Sequence, residues 1–372
     1  MEHAKLSPSS SSRWLVCTAS VDISEQYENK TNSAAEWGTT VHGIGELMLK
    51  GYDVKISDMV EGMKVDKEML ECAEEYVDYC NSLITKDSHI LIEERFSLEF
   101  IAPDTFGTGD FSCLNDNHLH IVDLKTGRGV VSAQDNTQLK LYALGAIYEL
   151  ETFGHEITDV TLHIVQTRVN HIDTFDITYD ELKEFEAFAK KQAEAIRTGK
   201  TTFTPTQKGC MWCPHKTNCE ALKKHVEDVV VGSFEDLPEI EGSANLIDNS
   251  HLKNILDNAD LIFDFVKACQ SVALEKLQAG EKIEGYKLVA SRTNRKISDE
   301  AELVKYLENN YEGTNFYQEP KLLPLGKLEK LLKKDEKFKE FIVKPQGSPT
   351  LAPITDKRKA ISSTCDDFED LD

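Results

Sequence analysis

The sequence predicts an α/β protein in which helices flank a mixed central sheet, with a smaller, mainly helical region towards the C-terminus. Three observations support this. Two amphipathic helical stretches come first, strand-like runs follow them, and beyond residue 131 helix and strand alternate. At 372 residues the chain is long enough for a substantial core and for more than one domain.

The elements follow in order. "SAAEWGTTVHGIGELMLK" (33–50) has helical periodicity. "DKEMLECAEEYVDYCNSLI" (66–84) places Leu70, Ala73, Tyr76, Val77 and Cys80 along one helical face. "HILIEERFSLEF" (89–100) reads as a strand, and "GTGDFSCLNDNHLHIVDLKTG" (107–127) as a β-hairpin. "SAQDNTQLKLYALGAIYEL" (132–150) returns to helix, "VTLHIVQTRVNHIDTFDIT" (160–178) to strand, and 179–199 to helix with Gly199 near its end. A cysteine-rich segment, 208–219, closes a first domain that spans 1–230. The acidic, turn-rich stretch 231–250 suits a linker. Residues 251–360 form a C-terminal α+β region that opens with a long amphipathic helix (251–280), and 361–372 an acidic tail expected to be disordered.

Composition narrows the function. Hydrophobic residues make up 40% of the chain and charged residues 29%, as in ordinary globular proteins. No apolar run approaches the roughly 18 residues of a membrane span, and the N-terminus lacks the apolar stretch of a signal peptide, so a cytoplasmic location without membrane contact is expected. Nine cysteines, an odd number, suit thiols or metal ligands better than a disulfide framework. The net charge of −23 opposes non-specific adhesion to nucleic acid, so any DNA-binding role needs local basic surface and metal ions. Residues 321–359 hold eleven Lys/Arg against five Asp/Glu, and Arg292, Arg295 and Lys296 precede them, a candidate surface for DNA backbone or for a partner.

The hairpin carries the chemistry. A turn centred on Asp116-Asn117 sets a register in which Asp110 falls opposite Asp123. Opposed residues project to one face, roughly 5 Å apart, and Lys125 shares that face because strand side chains repeat every second residue. Two carboxylates that close repel unless a proton or a divalent cation holds them together. Mg²⁺ takes carboxylate oxygens together with substrate phosphate, and a neighbouring lysine can orient water or stabilise developing charge. A solvated face, with Lys125 neutralising the two aspartates, is the alternative.

The G-T-G-D…V-D-L-K-T-G pattern resembles the PD-(D/E)XK nuclease superfamily, in particular its RecB-like branch. The resemblance implies a restriction-endonuclease-like core, Asp110 and Asp123 as metal ligands, a metal contact from the Leu124 carbonyl, and Lys125 as catalytic lysine. "GTTVH" (38–42) supplies His42, which in this branch completes the metal shell or touches phosphate. "QLKLY" supplies Gln138 and Tyr142, four apart on one helix face, which would address the DNA backbone or orient the lysine.

"GCMWCPHKTNCEA" contains Cys210, Cys213 and Cys219, three thiolates that imply a metal centre lacking one ligand, and Cys17 is the best fourth. RecB-like nucleases of the AddB and CRISPR-associated types divide their cysteines in this way around a [4Fe–4S] cluster. The resemblance therefore implies an iron–sulfur staple on Cys17, Cys210, Cys213 and Cys219, with Zn²⁺ as the competing occupant. The remaining cysteines read as ordinary thiols.

The nuclease resemblance covers residues 6–222, and the whole chain is similar to an uncharacterised phage and prophage family of RecB-like proteins. It implies a Mg²⁺- or Mn²⁺-dependent DNA exonuclease acting on ends or single strands in phage replication or recombination inside the bacterial host. Single-strand-binding, annealing or replication proteins would be its partners. No G-x-x-x-x-G-K-[ST] loop of a helicase motor is present. Two other readings stand beside this one: a catalytically silent DNA-end-binding module, and a zinc-stabilised scaffold for replication proteins.

Overall fold

A computed structural model describes residues 4–27, 33–235 and 249–286. Two short helices open the chain, α1 (Ser11–Trp14) and α2 (Ser20–Ser24), followed by α3 (Ser33–Leu49). A small hairpin, β1 (Met59–Val60) with β2 (Met63–Lys64), leads into α4 (Lys67–Leu83). Asp66 caps α4, its side chain accepting the Met69 N–H at 2.8 Å, which satisfies one of the donors that a helix start leaves open.

Five strands then build the main sheet: β3 (His89–Ser97), β4 (Phe106–Asn115), β5 (His118–Leu124), β6 (Asp159–Gln166) and β7 (His171–Thr178), in that spatial order. All neighbours pair antiparallel except β5 and β6, which are parallel. Parallel neighbours need a crossover, supplied here by α5 (Thr137–Thr152). This is the expected mixed sheet flanked by helices. After it come α6 (Tyr179–Arg197), α7 (Gln207–Met211), α8 (Glu220–Glu235) and α9 (Asn249–Gln278).

Two details differ from the sequence reading. Helix α5 starts at Thr137 rather than near 132, because the Asn136 side chain accepts the Gln138 and Leu139 N–H groups and fixes the start there. The strand run 160–178 is broken by a 3₁₀ turn at Thr167–Val169 and by Asn170, whose φ of 49° reverses the chain.

Alternating strand residues feed two cores. Leu114, Leu119, Ile121 and Ile164 pack with α5 on one side of the sheet. Phe111, Cys113, Val122 and Val165 pack with Val41 and Ile44 of α3 and Tyr76 and Val77 of α4 in a second core. A third core joins Trp14 and Leu15 to Ala189, Ala193 and Ile196 of α6. By the strand period of two, Asp123 belongs to the α5 side with Ile121, whereas the alternation of β4 breaks before Phe111: Gly109 faces Phe96 of the α5-side core, and Asp110 faces His42 of α3.

Contacts divide the chain into two units, 1–289 and 290–372. Leu222 of α8 and Leu261 of α9 are buried with Cys210, so α9 belongs to the first unit and the expected cut at 231–250 falls inside that unit. Residues 231–235 end α8 and 249–250 begin α9. The remainder of the expected linker, the basic residues Arg292, Arg295, Lys296 and 321–359, and the acidic tail lie outside the described residues. Among the described residues, no helix is long and apolar enough to cross a membrane.

Candidate metal centre

The hairpin turns at Asp116, whose φ of 51° is the left-handed value a tight turn needs. Its ladder follows the expected register, pairing Asn115 with His118 and Phe111 with Val122. It stops there. One step further, where Asp110 and Asp123 would pair, the Leu124 N–H donates to Asp110 Oδ2 at 2.7 Å instead. Asp110 is therefore locked by β5 itself, and its other oxygen, Oδ1, faces His42 Nδ1 at 3.3 Å. His42 arrives from α3, where the neighbouring Val41 is fully buried in the second core.

A residue the sequence reading missed completes this group. Glu93 lies in β3 between the paired residues Ile92–Phe111 and Glu94–Gly109, which puts it opposite Asp110 on the other flank of β4. Its φ of 50° is the left-handed region, rare for a side chain of this kind and costing on the order of 1 kcal/mol. Ligand atoms of His42, Glu93 and Asp110 all lie within 4.8 Å of one another. A glutamate breaking an otherwise apolar strand was the only signal, and the adjacent Glu94 made it ambiguous.

Asp123 and Lys125 form the second half of the site. Lys125 Nζ stands 2.8 Å from Asp123 Oδ2, a short, buried ion pair. Asp123 is only 2% exposed, and a buried carboxylate is costly unless its charge is compensated, so a further cation beside it would suit the site. Lys125 also donates to Gln138 Oε1 at 2.9 Å, and Gln138 Nε2 donates to the Tyr142 hydroxyl at 3.0 Å. The Q-x-x-x-Y pair of α5 thus steadies the lysine. Gly107 makes room for this, since a Cβ there would meet Tyr142 at 2.9 Å and Pro8 at 2.4 Å.

The electrostatics follow from crowding. Burial, reinforced by Asp110, pushes the Glu93 carboxyl up to about 8. Burial disfavours the His42 cation, but the charge and hydrogen bond of Asp110 outweigh it and raise His42 to about 9. Burial also opposes ionisation of Asp110, yet His42, Lys125 and the Leu124 N–H hold it below its ordinary value. Asp123 is raised by burial, against Lys125 and with Asp110 adding to the rise. Lys125 stays charged because Asp123 overcomes its burial. A cluster that retains protons where carboxylates normally lose them is one a divalent cation can enter by displacing those protons.

The donor set fits such an ion. Carboxylate oxygens suit Mg²⁺ and Mn²⁺, and the imidazole moves the preference towards Mn²⁺ or another transition metal. Leu124 contributes through the N–H that holds Asp110, and its side chain is buried in the second core. The structure thus brings His42, Asp110, Asp123, Lys125, Gln138 and Tyr142 into one connected group and adds Glu93.

The cysteines gather elsewhere. Cys17, which follows α1, lines one small cavity with Cys210, Cys213 and Cys219, alongside Phe203, Pro205 and His215. Arg13 ties the two chain segments together by donating to the Trp212 carbonyl at 3.1 Å. Burial pushes the Cys210 thiol up to about 11, against a hydrogen bond to the Thr206 backbone and with Cys213, Cys17 and Cys219 each adding to the rise. Among the described residues no three of these sulfurs lie mutually within 4.8 Å, so they are not drawn into a tight tetrahedral arrangement. Cys72, Cys80 and Cys113 are buried thiols in the second core.

Among solved structures the chain is similar to one titled "Crystal structure of SSO0001", at 14% identity over 56% of this chain and 83% of that one, with a TM-score of 0.27, too slight a likeness to carry an argument. A family match is far more extensive. It runs over residues 3–359 and bears the description "Protein of unknown function (DUF2800)", and by this match the chain belongs to the DUF2800 family.

Proposed function

We propose that this protein is a metal-dependent deoxyribonuclease of the PD-(D/E)XK type, RecB-like in its site, which hydrolyses phosphodiester bonds of linear or single-stranded DNA as an exonuclease in phage replication or recombination. The observation that carries this reading is the convergence of His42, Glu93 and Asp110 within 4.8 Å beside the Asp123–Lys125 pair. Mg²⁺ or Mn²⁺ held by these carboxylates and His42 would polarise the phosphate and make bound water acidic.

The residues of the chain do the rest. Asp110, fixed by the Leu124 N–H, offers a carboxylate whose position does not depend on side-chain freedom. Lys125, held charged between Asp123 and Gln138, is placed to orient the attacking water and to stabilise the growing charge on phosphate. Tyr142 and Gln138 restrict where that ammonium can go.

A second metal centre belongs to the same proposal. Cys17, Cys210, Cys213 and Cys219 would hold a [4Fe–4S] cluster that ties the N-terminal helices to the end of the domain. Support comes from the cavity that all four cysteines line together. A crosslink that closes a loop of about two hundred residues restricts the unfolded chain strongly.

The test is cleavage of labelled linear DNA with Mg²⁺ or Mn²⁺. Asp123→Asn and Lys125→Ala should each lower kcat by at least about a hundredfold. Full activity in both variants would refute the assigned site.

A further inference from the structure

The loop that leaves Lys125, "TGRGVV" (126–131), is built in a way that its own packing does not explain. Gln166, at the end of β6 and fully buried, spends its whole amide on it. Its Nε2 donates to the carbonyls of Gly127 at 3.2 Å and Gly129 at 2.9 Å, and its Oε1 accepts the Val131 N–H at 2.7 Å. Further anchors are the contact of His171 Nε2 with the Val131 carbonyl at 3.0 Å and the Ala133 N–H donating to Asp173 at 2.8 Å. The loop is held from one side only.

That hold decides where the loop's donors point. In a trans peptide the carbonyl of one residue and the N–H of the next face opposite ways, and none of the described peptides is cis. With the carbonyls of 127 and 129 turned in to Gln166, the N–H groups of Arg128 and Val130 turn outward. Among the described residues, no backbone N–H from Gly127 to Val130 donates a hydrogen bond. Arg128 is exposed and has no hydrogen-bond or ion-pair partner among the described residues, in a chain of net charge −23.

The two glycines add an independent observation. Neither has a positive φ, and a Cβ on either would meet nothing within 4 Å. Neither backbone conformation nor internal packing calls for glycine there. The remaining physical use is bare backbone that something outside the chain can approach closely.

Resting on the nuclease reading above, we propose that residues 127–130 form a phosphate-holding loop for the strand being cut. The outward N–H groups of Arg128 and Val130, with the Arg128 guanidinium, take a backbone phosphate next to the one at the metal centre, and Gln166 is the positioning residue behind them. Two outward N–H groups flanking a guanidinium can donate together to phosphate oxygens, and guanidinium matches phosphate geometry. Three residues of chain reach at most ~11 Å, so Arg128 lies within one or two phosphates of Lys125.

The test measures cleavage and binding of a labelled single strand by the full chain across salt concentrations, alongside melting temperature. Arg128→Ala should raise KM about tenfold and reduce the salt slope by about 1, with kcat within about twofold. Gly127→Ala and Gly129→Ala should raise KM comparably without lowering the melting temperature, since the added Cβ enters open space. Gln166→Glu, whose carboxylate donates to neither carbonyl, should raise KM in the wild-type background and add little to Arg128→Ala, a coupling that a merely structural residue would not show. Cleavage whose KM and salt slope ignore Arg128→Ala and both glycine variants overturns the loop and leaves the nuclease reading standing. An unmodified protein that neither binds nor cuts DNA overturns both.

Discussion

Asp110 accepts the backbone N–H of Leu124 through Oδ2 at 2.7 Å, at the point where the β4–β5 ladder ends. A side chain thus occupies the place of a ladder carbonyl. The strands part without leaving the N–H unsatisfied, and a carboxylate becomes part of the sheet's bonding. That exchange positions the acidic group towards His42 and Glu93.

Crowding of Glu93, Asp110 and Asp123 predicts a stability effect that changes sign with metal. Glu93→Gln removes one buried carboxylate and should stabilise the protein in EDTA by roughly 1 kcal/mol. With Mn²⁺ present the unmodified protein should gain more, because ligand binding to the folded state stabilises by mass action and the variant binds at least about tenfold more weakly. Thermal melts with and without Mn²⁺ check this; the same melting shift in both proteins would remove Glu93 from the metal set.

Gln138 steadies Lys125 without being placed against the reacting atoms. Gln138→Ala should therefore reduce kcat by about tenfold at little cost in melting temperature, and Gln138→Glu, which keeps an acceptor for the ammonium, should recover part of the rate. Single-turnover cleavage separates these from effects on DNA binding.

A histidine chain away from the site makes stability depend on pH. His163, 4% exposed, bonds Tyr79 through Nδ1 at 2.8 Å and His120 through Nε2 at 3.1 Å. Burial, with His120 adding to it, depresses His163 to about 3. Its folded value lies below its unfolded value of about 6.5, so below that pH the unfolded chain binds the extra proton and stability falls with falling pH. By pH 5 the loss from this residue is about 2 kcal/mol. Urea unfolding at pH 7.5 and 5 should show it, and His163→Gln should reduce the dependence, leaving the part contributed by His120, which burial depresses to about 4.

The cysteine staple predicts iron in anaerobically purified protein and its loss, with a fall of several degrees in melting temperature, in Cys17→Ser and Cys213→Ser. Colourless protein carrying zinc would assign the four cysteines to the other metal.

Much of the site could be read in the sequence because it is local. Asp110, Asp123 and Lys125 come from one short-turn hairpin, whose turn chemistry and register bring the two aspartates to the same level of adjacent strands, although the ladder ends before they pair. That Gln138 and Tyr142 share one helix face follows from helical spacing, and their place in the site was implied by the resemblance. The strands and helices of the first 200 residues showed their own periodicities, and the start of α5 was misplaced only because a side-chain cap decided it.

Local pattern determined which residues would share a face, because backbone geometry repeats every two residues in a strand and every 3.6 in a helix. Tertiary structure alone decided that Glu93 meets Asp110 and that Gln166 turns the 127–130 loop outward, and it is the packing of α3 that carries His42, expected from the resemblance, to the same carboxylate. Each of these depends on which distant segments pack together and on a backbone angle, at Glu93, that its own preference opposes. Such contacts are selected by the free energy of the whole packed core, and no single stretch of sequence contains that.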